Sequence, residues 1–116
     1  MQDNIRVEIL SGLYSGRVFL RKLPLLIGRG LVESENVLDL ADYDESQTVS
    51  QNHAEIVSEN GRYFLIDLGS RNGTFVFSSG KLEQLDPNVK FEVSSKDIFV
   101  VGEFLLRLLV ERSQDV

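Results

Sequence analysis

The chain has 116 residues, 42% of them hydrophobic and 26% charged, with a net charge of −6 and no cysteine. That is the composition of one ordinary soluble globular domain, large enough to bury a core without disulfide or metal staples. It excludes disulfides, thiolate metal sites and cysteine nucleophiles, and it runs against the basic balance of a nucleic-acid binder. The basic residues, from Arg6 to Lys90, are scattered among acids rather than gathered on one segment, so no nucleic-acid partner is expected. No apolar run approaches the roughly 20 residues that span a bilayer. Met1–Arg6 carries no signal-peptide pattern. The expected setting is therefore cytoplasmic, without membrane contact.

In chain order the sequence reads as many short strands. Ile5, Val7 and Ile9 alternate with Arg6 and Glu8, the period-2 pattern of a half-buried strand. Ser11–Gly16 is a turn and Arg17–Leu20 the return strand. Pro24–Ile27 is an apolar run stopped by Gly28, and Asn36–Leu40 leads into an acidic loop, Asp42–Gln47, whose acids at 42–45 read as a solvated face that would repel an acidic flank of a bound segment. His53–Ser58 and Arg62–Asp67 are joined at Asn60-Gly61, both of which accept positive φ and so mark a hairpin. Thr74–Phe77, Leu82–Leu85, Lys90–Val93 and Ile98–Val101 follow, separated by turn residues. Phe104–Glu111 is Leu-rich and compatible with a helix on propensity, but everything before it is β, and it reads as a strand buried on much of both faces. Phe64, Phe75, Phe91, Phe99 and Phe104 fall at strand spacing and are assigned to the core. Strands at about 8–12-residue spacing argue an all-β sandwich or barrel. Residues 1–111 form one domain, followed by a polar tail at 112–116.

The chemistry lies between the strands, where a β-scaffold presents recognition loops. Gly28-Arg29 ends an apolar strand, Ser50-Gln51-Asn52-His53 opens the next hairpin, and Asp67-Leu68-Gly69-Ser70-Arg71-Asn72-Gly73-Thr74 links two more. A fourth segment, Asp97–Gly102, has no evident chemistry. A Ser-His-Asp set can be written from Ser50, His53 and Asp67, but Ser50 and His53 sit three apart in one loop and no Gly-x-Ser-x-Gly elbow is present. With one histidine and no cysteine, a zinc site would need a carboxylate-heavy ligand set. Neither catalysis, nor a metal, nor a cofactor is expected.

At these residues the sequence resembles the forkhead-associated (FHA) family. The pattern Gly-Arg, Ser-x-x-His, Asp-x-Gly-Ser-x-Asn-Gly-Thr and a Gly-Asp-x-Ile-x-x-Gly-like element recurs here in order at 28–29, 50–53, 67–74 and 96–102, with Lys96 in place of the usual Gly. The resemblance implies an eleven-stranded antiparallel β-sandwich with its binding loops at one end. It also implies a module that binds a phosphothreonine-containing segment of a partner protein, as a monomeric domain of a longer chain. Carried over, Arg29 and Ser50 contact the phosphate, Asn72 holds the peptide main chain, and Gln51 and Arg71 add contacts. Gly28, His53, Gly73 and Thr74 shape the loops.

These residue types suit that chemistry on their own account. A phosphothreonine carries about −1.5 to −2 charge and three acceptor oxygens. Arg29 offers a planar fork of donors, Ser50 a hydroxyl, and Asn72 both a donor and an acceptor for a peptide backbone. Asn72-Gly73 also matches a type I′ turn, in which Asn72 would serve only for its φ. Gln51 departs from the Arg or Lys common in the family. A hydrogen bond to a charged group is worth about 1.5–3 kcal/mol, so its loss weakens binding by about tenfold or more, with Arg71 as the compensating cation. The alternative reading is a phosphate-independent docking or intramolecular regulatory domain of the same fold.

Overall fold

A computed structural model of the chain describes residues 4–111, so the expected polar tail at 112–116 lies outside the described residues. Eleven strands run in chain order: β1 (Asn4–Ile9), β2 (Val18–Lys22), β3 (Leu25–Gly28), β4 (Val37–Asp39), β5 (Asn52–Glu59), β6 (Arg62–Asp67), β7 (Thr74–Ser78), β8 (Lys81–Gln84), β9 (Phe91–Val93), β10 (Ile98–Val101) and β11 (Phe104–Glu111). A 3-10 turn, Ala41–Tyr43, opens the acidic loop. The strands form two facing sheets, one ordered β2-β1-β11-β10-β7-β8 and the other β4-β3-β5-β6-β9. The pairings are antiparallel except for β3 with β4, which is parallel. Among the described residues no helix is long and apolar enough to cross a membrane.

Period-2 alternation decides what faces the interior. Ile5, Val7 and Ile9 of β1 are buried, while Asn4 and Arg6 are exposed and Glu8 is half-buried. The β11 partners of the three buried residues are Val110, which packs at the core margin, and Leu108 and Leu106, both buried, so the Leu-rich closing segment is a strand. Leu25, Ile27, Ala54, Ile56 and Leu65 come from the opposite sheet and complete one contiguous core. The outer face of β11, with Leu105 and Leu109, is half-buried.

Of the phenylalanines expected in the core, Phe99 and Phe104 lie there and Phe91 packs at its margin. Phe64 and Phe75 do not. They alternate with buried Tyr63, Leu65, Thr74 and Val76 and therefore point outward, where they are half-buried. The same alternation turns Phe77 outward, at 44% exposure, and its cross-strand partner Leu82 on the edge strand β8 is 53% exposed.

Pairing also brings the recognition segments to one end. Gly28 at the end of β3 pairs with Asn52 at the start of β5, and Ala54 pairs with Asp67 at the end of β6. Thr74 at the start of β7 pairs with Val101 at the end of β10. Hence the β3–β4, β4–β5, β6–β7 and β10–β11 connections all emerge from the same rim. The Asn60-Gly61 hairpin, with φ of 53° and 77°, lies at the opposite end of β5 and β6.

Lys96 has φ of 80°. It occupies the third position of a Ser94–Asp97 turn closed by the Asp97 N–H on the Ser94 carbonyl at 3.1 Å, a position that favours glycine. An L-residue there costs about 1–2 kcal/mol, part of which glycine returns through its freer unfolded chain. Lys96→Gly is expected to stabilise the domain by about 1 kcal/mol and raise Tm by roughly 4 °C, measured by thermal unfolding. An unchanged or lower Tm would show that the turn bears no strain.

Candidate functional site

The rim is organised by buried polar residues rather than by regular structure. Asp44, 1% exposed, is not part of a solvated acidic face as the sequence suggested. Its Oδ1 accepts hydrogen bonds from the Thr48 N–H and hydroxyl, both at 2.9 Å, and its Oδ2 accepts from the Val49 N–H at 2.9 Å. The carboxylate thus closes the loop on itself, as Asp commonly does in turns. Gln47, at φ of 55°, makes the tight bend between Asp44 and Thr48. The only signal available in sequence was an Asp placed four residues before Thr48, too common a pattern to single out.

Arg29 leaves β3 directly over this carboxylate. Its Nε lies 3.5 Å from Asp44 Oδ2, is buried, and makes no hydrogen bond. The side chain as a whole is 34% exposed although its Nε is buried. Arg29 is held to an acid by the inner edge of the guanidinium, while the two Nη groups carry no hydrogen bond among the described residues.

Gly28 is dictated by close approach. A Cβ at this position would sit 1.8 Å from the Gln51 carbonyl oxygen, so only glycine lets β5 begin here. That same carbonyl accepts the Arg29 N–H at 3.3 Å, which ties the Arg29 backbone to the Ser50-Gln51 segment. The Gln51 side chain is exposed at the rim.

Ser50 and the β6–β7 loop are joined through His53. The Ser50 N–H donates to His53 Nδ1 at 3.0 Å, and His53 Nε2 is 2.9 Å from the Gly73 carbonyl. Because Nδ1 must accept, Nε2 carries the proton and donates to Gly73, and the ring is neutral. Both nitrogens are spent on main-chain groups, which leaves none for a base or a metal. Burial holds the His53 pKa below its ordinary value, against the opposing pull of the Gly73 carbonyl, Asp67 and Asp44.

Ser50 Oγ accepts the Arg71 N–H at 3.0 Å, which leaves its own proton free to donate outward. The Arg71 guanidinium reaches back across the rim, with Nη2 on the Gln47 carbonyl at 3.2 Å. Asn72 donates from Nδ2 to the Thr48 carbonyl at 2.8 Å. Its φ is not positive, so Asn72-Gly73 is not a type I′ turn and Asn72 is not there for its backbone. Its amide oxygen and second N–H remain unengaged among the described residues. Gly73 does need its φ of 84°, and a Cβ there would meet the Gln84 amide at 2.8 Å.

Asp67 anchors the rest of this loop. Its carboxylate accepts from the Ser70 hydroxyl at 2.5 Å, the Thr74 hydroxyl at 2.8 Å, and the N–H groups of Gly69 and Ser70. Arg29, Ser50, Gln51, Arg71 and Asn72 therefore lie on three interlocked loops at one rim, with Gly28, His53, Gly73 and Thr74 beneath them.

A family model described as "FHA domain" matches residues 25–102. Over 58 residues, 49% of the chain, the sequence is 36% identical to chloroplastic zeaxanthin epoxidase from Spinacia oleracea, and the match spans only 9% of that enzyme's length. The solution structure of the FHA domain of an Arabidopsis thaliana hypothetical protein superposes with a TM-score of 0.73, covering 98% of this chain and 91% of that one at 22% identity. A structure solved in connection with phosphothreonine-dependent FHA domain interactions gives a TM-score of 0.63, covering 95% of this chain and 99% of that one at 23% identity. At such identities the structural likeness speaks for the fold.

A neutral His53 makes stability pH-dependent with a definite sign. The folded pKa lies below the unfolded value of 6.5, so the unfolded chain binds the extra proton first. The contribution is fully present above about pH 6.5 and is lost as pH falls through the folded pKa, at no more than about 1.4 kcal/mol per pH unit. Urea midpoints measured from pH 7.5 down to pH 5 are expected to fall, and His53→Gln is expected to lack that part of the slope. Midpoints that rise on acidification would mean that the ring is charged in the folded state.

Proposed function

Since the chain belongs to the FHA domain family, a family of interaction modules, we propose that it is a phosphothreonine-dependent protein-interaction domain. In this reading it acts as a binding module and not as an enzyme, and the rim receives a phosphorylated segment of a partner protein.

One observation carries the proposal. A buried carboxylate faces the Arg29 Nε and leaves the Nη groups without a hydrogen bond among the described residues, and Ser50, whose hydroxyl proton is also free, precedes the Gln51 carbonyl that accepts the Arg29 N–H. Two such donors from separate loops suit the oxygens of one phosphate, and charge-assisted bonds of this kind are about twice as strong as neutral ones. Arg71 supplies the second positive charge in place of the cation that Gln51 lacks, with one Nη already spent on Gln47. Asn72 keeps an acceptor and a donor for the bound main chain. Gly28, His53, Gly73 and Thr74 serve the loops and not the ligand.

Calorimetric titration with phosphothreonine, phosphoserine and unphosphorylated versions of one peptide tests the reading. Binding is expected only to the phosphorylated forms, with threonine favoured by about fourfold if its methyl is buried, at about 0.8 kcal/mol per carbon. Arg29→Ala is expected to cost at least about 2 kcal/mol of binding. Its Tm is expected to fall as well, because the buried Asp44 carboxylate then keeps only its Thr48 and Val49 donors, so binding is compared well below the unfolding transition. Equal affinity for all three peptides would instead favour the phosphate-independent docking reading, for which the exposed Phe77 and Leu82 offer a surface.

A further inference from the structure

Beside the recognition rim lies a groove of about 560 Å³ that none of the roles above uses. It runs between the β1–β2 connection, with Leu13 and Tyr14, the 3-10 turn Ala41–Tyr43, and the β10–β11 turn, with Glu103 and Phe104. Tyr14 and Tyr43 meet edge to face in its wall, their ring centres 4.9 Å apart at 76°. Leu13 is 88% exposed at its lip. Three exposed carboxylates, Asp42, Glu45 and Glu103, stand around it. Among the described residues none of the three side chains makes an ion pair or a hydrogen bond, whereas Asp44 next to them is fully committed. One cation, Arg17, lies against the wall, its guanidinium 5.2 Å from the centre of the Tyr43 ring. Three carboxylates against one guanidinium leave an excess of two negative charges.

The groove and the phosphate-facing loops share a wall. Thr48 accepts the Asn72 amide on its carbonyl at 2.8 Å and the Glu103 N–H on its hydroxyl at 3.0 Å. Glu45 and Ser46 run directly into Gln47, whose carbonyl holds Arg71. Thr48 thus stands between Asn72 of the rim and Glu103 of the groove.

We propose that this groove receives a lysine or arginine lying on one flank of the phosphothreonine in the same bound segment. The inference rests on the phosphothreonine reading and adds the sequence class of its ligand. A long basic side chain lays its aliphatic stem along an apolar wall and keeps its charged head among carboxylates, and a cation near tyrosine faces is attracted to them. The same acids reject an acidic flank, so that discrimination comes from repulsion as well as from attraction.

The test uses the full chain and a phosphothreonine peptide in which lysine or glutamate is placed singly at each of the four positions on either side of the phosphoresidue. Affinities are read by fluorescence anisotropy for the unaltered protein, for Glu45→Lys/Glu103→Lys, and for Glu45→Gln/Glu103→Gln, which removes charge with little change of size. Lysine is expected to outbind glutamate by about fivefold to tenfold at one flank, the scale of a few exposed pairs. That preference should vanish in the Gln pair, reverse in the Lys pair, and shrink at high salt, with dependence on the phosphate retained throughout. If binding requires phosphate but shows no basic preference, or a preference that both variants keep, the groove assignment alone is overturned. If phosphorylated and unphosphorylated peptides bind equally, the phosphothreonine reading fails and takes this inference with it.

Discussion

The recognition end of this domain depends on one buried carboxylate. Removing a charge from water costs several kcal/mol, and the cost is recovered only where donors surround it. Asp44 has two backbone N–H groups and a hydroxyl on its oxygens and a guanidinium edge facing it. Those contacts give the irregular segment from Asp44 to Val49 a single conformation, and they aim Arg29 from behind. Without that acid neither the segment leading into Ser50 nor the arginine would have a reason to stay in place.

Two further buried groups extend the same logic across the rim. His53 ties Ser50 to Gly73 through a neutral ring, and Asp67 gathers four donors from the β6–β7 loop. Each satisfies backbone groups that strand pairing leaves orphaned at a sheet end. Loops held in this way lose little conformational freedom when a ligand arrives, which is where much of the free energy of binding is otherwise spent.

Electrostatics then operate locally. The chain carries −6 overall, but screening at physiological salt confines each exposed charge to roughly 8 Å. At the rim the guanidinium groups of Arg29 and Arg71 are partly or fully exposed, whereas Asp44 is buried. Beyond Thr48 the sign changes to that of Asp42, Glu45 and Glu103. One rim therefore presents a donor-rich site and an acidic groove side by side, a pattern suited to a ligand that bears both signs.

Local patterning was enough to read an all-β sandwich or barrel, and the family resemblance implied the eleven-stranded form. Alternation in β1 and β6, glycine-bearing turns such as Asn60-Gly61, and the order of the Gly-Arg, Ser-x-x-His and Asp67–Thr74 segments are properties of neighbouring residues, and strands need little else to be recognised. Sequence also marked Gly28 and Lys96 as notable, though not why. Only the tertiary structure supplied the Gln51 oxygen that excludes a Cβ from position 28. It alone separated Asp44 from the acids beside it, turned Phe64 and Phe75 outward, and showed that Asn72 has an ordinary φ and a side-chain partner in Thr48. The reason is distance along the chain. Asp44 meets Arg29 across 15 residues, and Asn72 meets Thr48 across 24. Contacts of that span depend on which strands pair and in what register, and neither is written in the residues nearby.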